Sequence, residues 1–101
     1  MLSLLFFSGQ VLGISDLDAV LEVIWEARKK WFYIGLGLGI RKEKLEDIKQ
    51  DNQDVDDRFT EMVLTWLSND EGTYTCTWAT LATALRSPSV RFGQLADKLP
   101  K

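Results

Sequence analysis

The chain has 101 residues, 46% of them hydrophobic and 27% charged, which suits one domain with its own core and is unlike either a disordered segment or a membrane protein. It has no histidine and a single cysteine, Cys76, which excludes histidine-based catalysis, an intrachain disulfide and a thiolate–imidazole zinc site, and points to a reducing, cytoplasmic setting. A formal net charge of −3 disfavours nonspecific binding to a phosphate backbone.

Residues 1–14 read as an apolar leader or tail. Leu2, Leu4, Leu5, Phe6 and Phe7 cluster before Ser8-Gly9, but the run lacks a basic flank and is shorter than a secretory core. It also falls far short of the about 20 apolar residues that cross a bilayer. A tail that packs on the domain or frays is expected, with a degenerate signal or a fragment boundary as the alternative.

Ser15 is placed to cap a first helix whose opening turn carries Asp16 and Asp18, where the helix dipole favours acids. Leu17, Val20, Leu21, Ile24 and Trp25 recur at helical spacing and predict one buried stripe. Arg28, Lys29 and Lys30 put positive charge at its carboxyl end.

A second helix follows from Trp31 to Leu38, with Trp31, Ile34 and Leu38 on one face and Gly39 positioned for a left-handed exit. Gly35 and Gly37 each cost about 1 kcal/mol relative to alanine, which predicts close backbone approach and a central place in the packing. The G-x-G-x-G spacing with no strand before it does not fit a dinucleotide loop.

Arg41 to Gln50 predicts a short surface helix held by Leu45 and Ile48. Arg41, Lys42 and Lys44 precede Glu46 and Asp47, against the helix dipole, so this face is either merely solvated or kept charged for a partner. Asp54 is a good cap for the longest helix, Val55 to Ser68, whose stripe is Val55, Phe59, Met62, Val63, Trp66 and Leu67. Asp54, Asp56, Asp57 and Glu61 lack the glycine of a calcium loop and read as an acidic first turn.

Asn69 to Thr77 is the longest loop, turning at Gly72. Trp78, Leu81, Ala82 and Leu85 mark a fifth helix. A Ser87 cap with Pro88 at the first position predicts a sixth, carrying Phe92, Leu95, Ala96 and Leu99 and stopped by Pro100. The expectation is therefore all-α: six helices, short connections and no strand. The four tryptophans are expected as core anchors. Cys76, in a polar loop with no basic neighbour, is expected to be unreactive.

This ordered set resembles the death domain family. The residues that carry the likeness are Asp16-Leu17, Lys30-Trp31, the Ile34 to Ile40 segment, Leu45 with Ile48, and Arg58, Glu61, Met62 and Trp66-Leu67. Thr77-Trp78 with Leu81, Ala84-Leu85-Arg86 and Leu95-Ala96 complete it. The resemblance spans Ser15 to Leu99 and implies a death domain over 15–99, folded as a six-helix antiparallel Greek-key bundle. It further implies no catalytic activity, no cofactor, and homotypic association with other death-domain proteins in apoptotic or innate-immune signalling. Gly37, where many members carry a larger residue, and the apolar leader depart from the pattern.

The resemblance also implies assembly through asymmetric, charge-complementary surfaces. Arg28, Lys29, Lys30, Arg41, Lys42 and Lys44 form a basic group, and Asp54, Asp56, Asp57 and Glu61 an acidic one. The basic group of one molecule is expected to dock on the acidic group of the next, building a homo-oligomer as an open stack. A third expected contact pairs Asp70-Glu71 with Arg86 and Arg91 of a neighbour. A stand-alone regulator that caps a partner's assembly is the alternative to an adaptor. Net acidity argues against a helical nucleic-acid binder, and no nucleophile–base pair suggests an enzyme or a small-molecule substrate. The leader is too short for direct membrane insertion.

Overall fold

A computed structural model describes residues 10–100, so most of the apolar leader, residues 1–9, lies outside the described residues. The described residues are helical, with no strand among them. The helices are α1 (Leu17–Ile24), α2 (Trp31–Gly37), α3 (Lys42–Asp51), α4 (Val55–Ser68), α5 (Trp78–Arg86) and α6 (Gly93–Asp97). The first five run from 7 to 14 residues, and α6 is a single piece of 5. None is long and apolar enough to cross a membrane.

α4 is the spine. Phe59, Met62, Val63, Trp66 and Leu67 are buried along it, and α1, α2, α3 and the segment after α1 all pack on it. α2 touches α3, α4 and α5, which is the central place its glycines predict. A Cβ at Gly37 would stand 3.0 Å from Ala84 Cβ, so the absent side chain is what seats α2 on α5. Gly39 has φ +96°, and the Ile40 amide donates back to the Gly35 carbonyl at 3.0 Å, closing α2 with the expected left-handed turn. Asp54 caps α4 by accepting from the Asp57 amide at 2.9 Å, and Thr77 caps α5 by accepting from Thr80 at 3.1 Å.

Several expectations need correcting. Ser15 caps nothing: the chain enters through a 3-10 turn, Ile14–Asp16, and the Gly13 amide donates to Asp16 Oδ2 at 2.8 Å. After Ile24 the first helix tightens into a 3-10 segment, Trp25–Lys30. That segment buries Ala27 and turns the Trp25 ring edge-on to Phe59, with centroids 5.6 Å apart.

Ser87-Pro88 starts no helix. The Ser87 carbonyl accepts from Val90 and Arg91, Arg91 sits at φ +63°, and the Phe92 amide donates to Leu85 at 2.8 Å. Burying Val90 and returning Phe92 to α5 uses up the residues that would have made the first turns of the last helix. The stripe itself holds, since Leu95, Ala96 and Leu99 are buried and Phe92 is packed against the core.

Cys76 is buried within its loop. Its thiol donates to the Trp66 carbonyl at 3.0 Å, and its own carbonyl accepts from the Leu12 amide at 2.7 Å. Of the tryptophans, Trp31 and Trp66 are buried, whereas Trp25 and Trp78 are half-buried at the core's edge.

Candidate protein-interaction surface

The basic and acidic groups meet within one molecule. The Trp25–Lys30 segment lies on α4, which brings the Arg28 Nε to 2.8 Å from Asp56 Oδ1. The same guanidinium donates to the Trp25 carbonyl at 3.2 Å and lies 5.0 Å from the Trp25 ring centroid. A planar, always-charged fork held by a carboxylate, a carbonyl and an aromatic face is well ordered. Exposure of the pair keeps its energetic worth near the about 0–1 kcal/mol of surface ion pairs.

The other members remain at the surface. Lys29, Lys30, Arg41, Lys42 and Lys44 are exposed, as are Asp54, Asp57 and Glu61, and none of them forms an ion pair with another described residue. The Asp54 carboxylate is occupied by its capping bond, and the Lys30 ammonium stands 5.9 Å from the Tyr33 ring centroid. Arg41 forms the extended N-terminal boundary of α3, not part of its first turn. Because α3 also packs on α4, Lys44 and Glu61 line a common groove.

That groove, of about 420 Å³, has Ile14, Leu64 and Tyr74 as its apolar lining and Lys44, Glu61, Asp70 and Glu71 as its charges. Its loop wall is held by Asn69, which ends α4 in the left-handed conformation. The Asn69 side chain donates to the Tyr74 carbonyl at 3.1 Å and accepts from the Tyr74 amide at 2.9 Å. A second cleft, of about 280 Å³, runs along Trp31, Phe32 and Tyr33 beside Glu46, Lys49 and Arg58.

The third expected contact is answered at home on one side. Arg86 pairs with Asp97 at 2.8 Å, and Arg91 Nε donates to the Pro88 carbonyl at 2.9 Å. Burial pushes the Cys76 thiol up from its ordinary value, so the thiolate is disfavoured.

Comparison with protein-family models, with curated proteins and with solved structures finds no match.

Sequence reasoning missed Tyr33 and Leu36 as surface groups. Both are large and apolar yet exposed. The signal was present, since they sit at i and i+3 off the stripe formed by Trp31, Ile34 and Leu38. The two clefts had no such signal, because each joins residues from three or more separate stretches.

Proposed function

We propose that this chain is a non-enzymatic protein–protein interaction module of the death-domain type, a six-helix antiparallel Greek-key bundle. On this reading it assembles homotypically in cytoplasmic apoptotic or innate-immune signalling. One observation carries the reading, a division between inside and outside. Trp31, Ile34, Leu45, Ile48, Met62 and Trp66, which carry the resemblance, are buried. The charges assigned to docking stand in solvent, most of them without an intramolecular partner.

The free cations Arg41 and Lys42 of one molecule dock on the acidic opening turn of α4 in the next, around Asp57. Arg28 and Asp56, already paired at home, hold that turn in place and contribute less between molecules. Complementary charge of this kind supplies specificity and association rate more than affinity.

Size-exclusion chromatography with light scattering at two salt concentrations tests the reading. Large species at low salt that dissolve at high salt are expected. Arg41→Glu with Lys42→Glu should weaken assembly while the helical circular dichroism signal and melting temperature stay unchanged. Full assembly by that variant would sink the charge docking. A wild-type chain that stays monomeric at both salts yet is captured by another death domain acts as a cap on that partner.

A further inference from the structure

We infer that a second copy of this chain docks its Tyr33–Leu36 edge into the groove between α4 and the loop that follows it. This contact is additional to the charge docking above and rests on the reading that the chain self-associates.

Four large hydrophobic residues are exposed among the described residues: Val11, Ile14, Tyr33 and Leu36, at 75%, 56%, 48% and 41%. Ile14 belongs to the groove, and Tyr33 and Leu36 form the edge, so one contact between copies covers three of the four. Isolated exposed apolar groups are ordinary, but these are gathered on two patches of opposite charge.

The groove carries three carboxylates, from Glu61, Asp70 and Glu71, against the single ammonium of Lys44. None of the four has an ion-pair partner among the described residues. It therefore suits an apolar group flanked by cations. The edge is such a group. Tyr33 and Leu36 are one helical turn apart on α2, Lys30 lies against the Tyr33 ring, and Lys29 is exposed beside it. In the cleft adjoining Tyr33, Lys49 and Arg58 outnumber Glu46, which keeps the surroundings positive.

The recess is also preformed and large enough. Its volume of about 420 Å³ falls within the about 300–1,000 Å³ typical of ligand clefts. The double hydrogen bond between Asn69 and Tyr74 fixes its wall before any partner arrives. A buried tyrosine anchor with polar groups at the rim matches the usual anatomy of an interface.

Edge and groove share no residue, so a copy can offer its edge to one neighbour while its groove receives another. Such a heterologous contact repeats from copy to copy, building a ring where its rotation closes and an open row where it does not.

Light scattering over a concentration series tests the contact, with melting temperature confirming that each variant folds. Asp70→Lys with Glu71→Lys, and separately Tyr33→Ser with Leu36→Ser, should each weaken self-association about tenfold or more, the loss seen when a hot spot is removed. Lys29→Glu with Lys30→Glu should weaken it as well. Mixing that variant with the Asp70→Lys, Glu71→Lys variant restores opposite charge at both contacts and should restore assembly.

Wild-type assembly that survives the Asp70/Glu71 and Tyr33/Leu36 variants overturns this contact and leaves the charge docking standing. Loss in each variant without recovery on mixing also overturns the pairing of these two faces. A wild-type chain that is monomeric throughout overturns the contact together with the self-association on which it rests.

Discussion

Gly35 and Leu45 lie so close that a Cβ on Gly35 would stand 2.7 Å from Leu45 Cδ2 and 3.2 Å from Cδ1, with Met62 Cγ at 3.2 Å as well. α3 is attached to the bundle by Leu45 and Ile48, so this approach sets how α3 is seated. Gly35→Ala should gain about 1 kcal/mol of helix propensity and lose about 1–3 kcal/mol to overpacking. The expected net effect is a destabilisation of about 1 kcal/mol, read as a lower denaturant midpoint with unchanged slope. A variant more stable than wild type would show that Leu45 yields freely.

The caps of α4 and α5 rest on single side chains. Asp54→Ala and Thr77→Ala should each cost about 1 kcal/mol, within the range of about 0.5–2 for lost caps. For a chain of this size that lowers the melting temperature by about 4–8 °C. Asp56→Ala, which removes a neighbouring acid but no cap, should cost less than Asp54→Ala.

Arg28 and Asp56 should couple weakly. A double-mutant cycle with alanine at each position is expected to give about 0.2–1 kcal/mol, falling as salt is added. Arg28→Ala alone should cost more than Asp56→Ala, because it also removes the contact with the Trp25 ring and carbonyl. Equal single effects would mean that the ring stacking contributes nothing.

The raised Cys76 pKa makes stability fall in alkali. The folded state holds the thiol proton more tightly than the unfolded chain, so stability is fully present below the unfolded thiol pKa and is lost as pH rises towards the folded one. Unfolding followed at neutral and at alkaline pH should show a larger loss for wild type than for Cys76→Ala. The difference between the two proteins isolates the share of the thiol.

Much of this architecture was legible in side-chain spacing. The α4 stripe, its Asp54 cap and the Gly39 exit are local signals, and each depends on residues within one or two turns. What escaped depends on distant partners. The Trp25–Lys30 segment tightens where it packs on α4. The last helix is cut short because the Phe92 amide returns to Leu85, and the loop position of Cys76 is drawn inside where its thiol meets the Trp66 carbonyl and its carbonyl meets the Leu12 amide. At the candidate surface, the ten charges are exposed or half-exposed. The pairing of Arg28 with Asp56 was not legible, since that contact is made only by the tertiary fold.

The bond from the Leu12 amide to the Cys76 carbonyl joins the approach to α1 with the loop before α5. Leu12 is the one buried residue before α1 among the described residues, so this stretch is held by little more than that side chain, that bond and the Gly13–Asp16 turn. Hydrogen exchange should therefore separate two events. The Leu12 amide exchanges when the stretch lifts, at a free energy well below that of global unfolding, whereas the amides of α4 wait for the whole bundle to open. The first event leaves the helices paired and parts the approach to α1 from the loop before α5, so a single amide reports on the fastening of one segment to another.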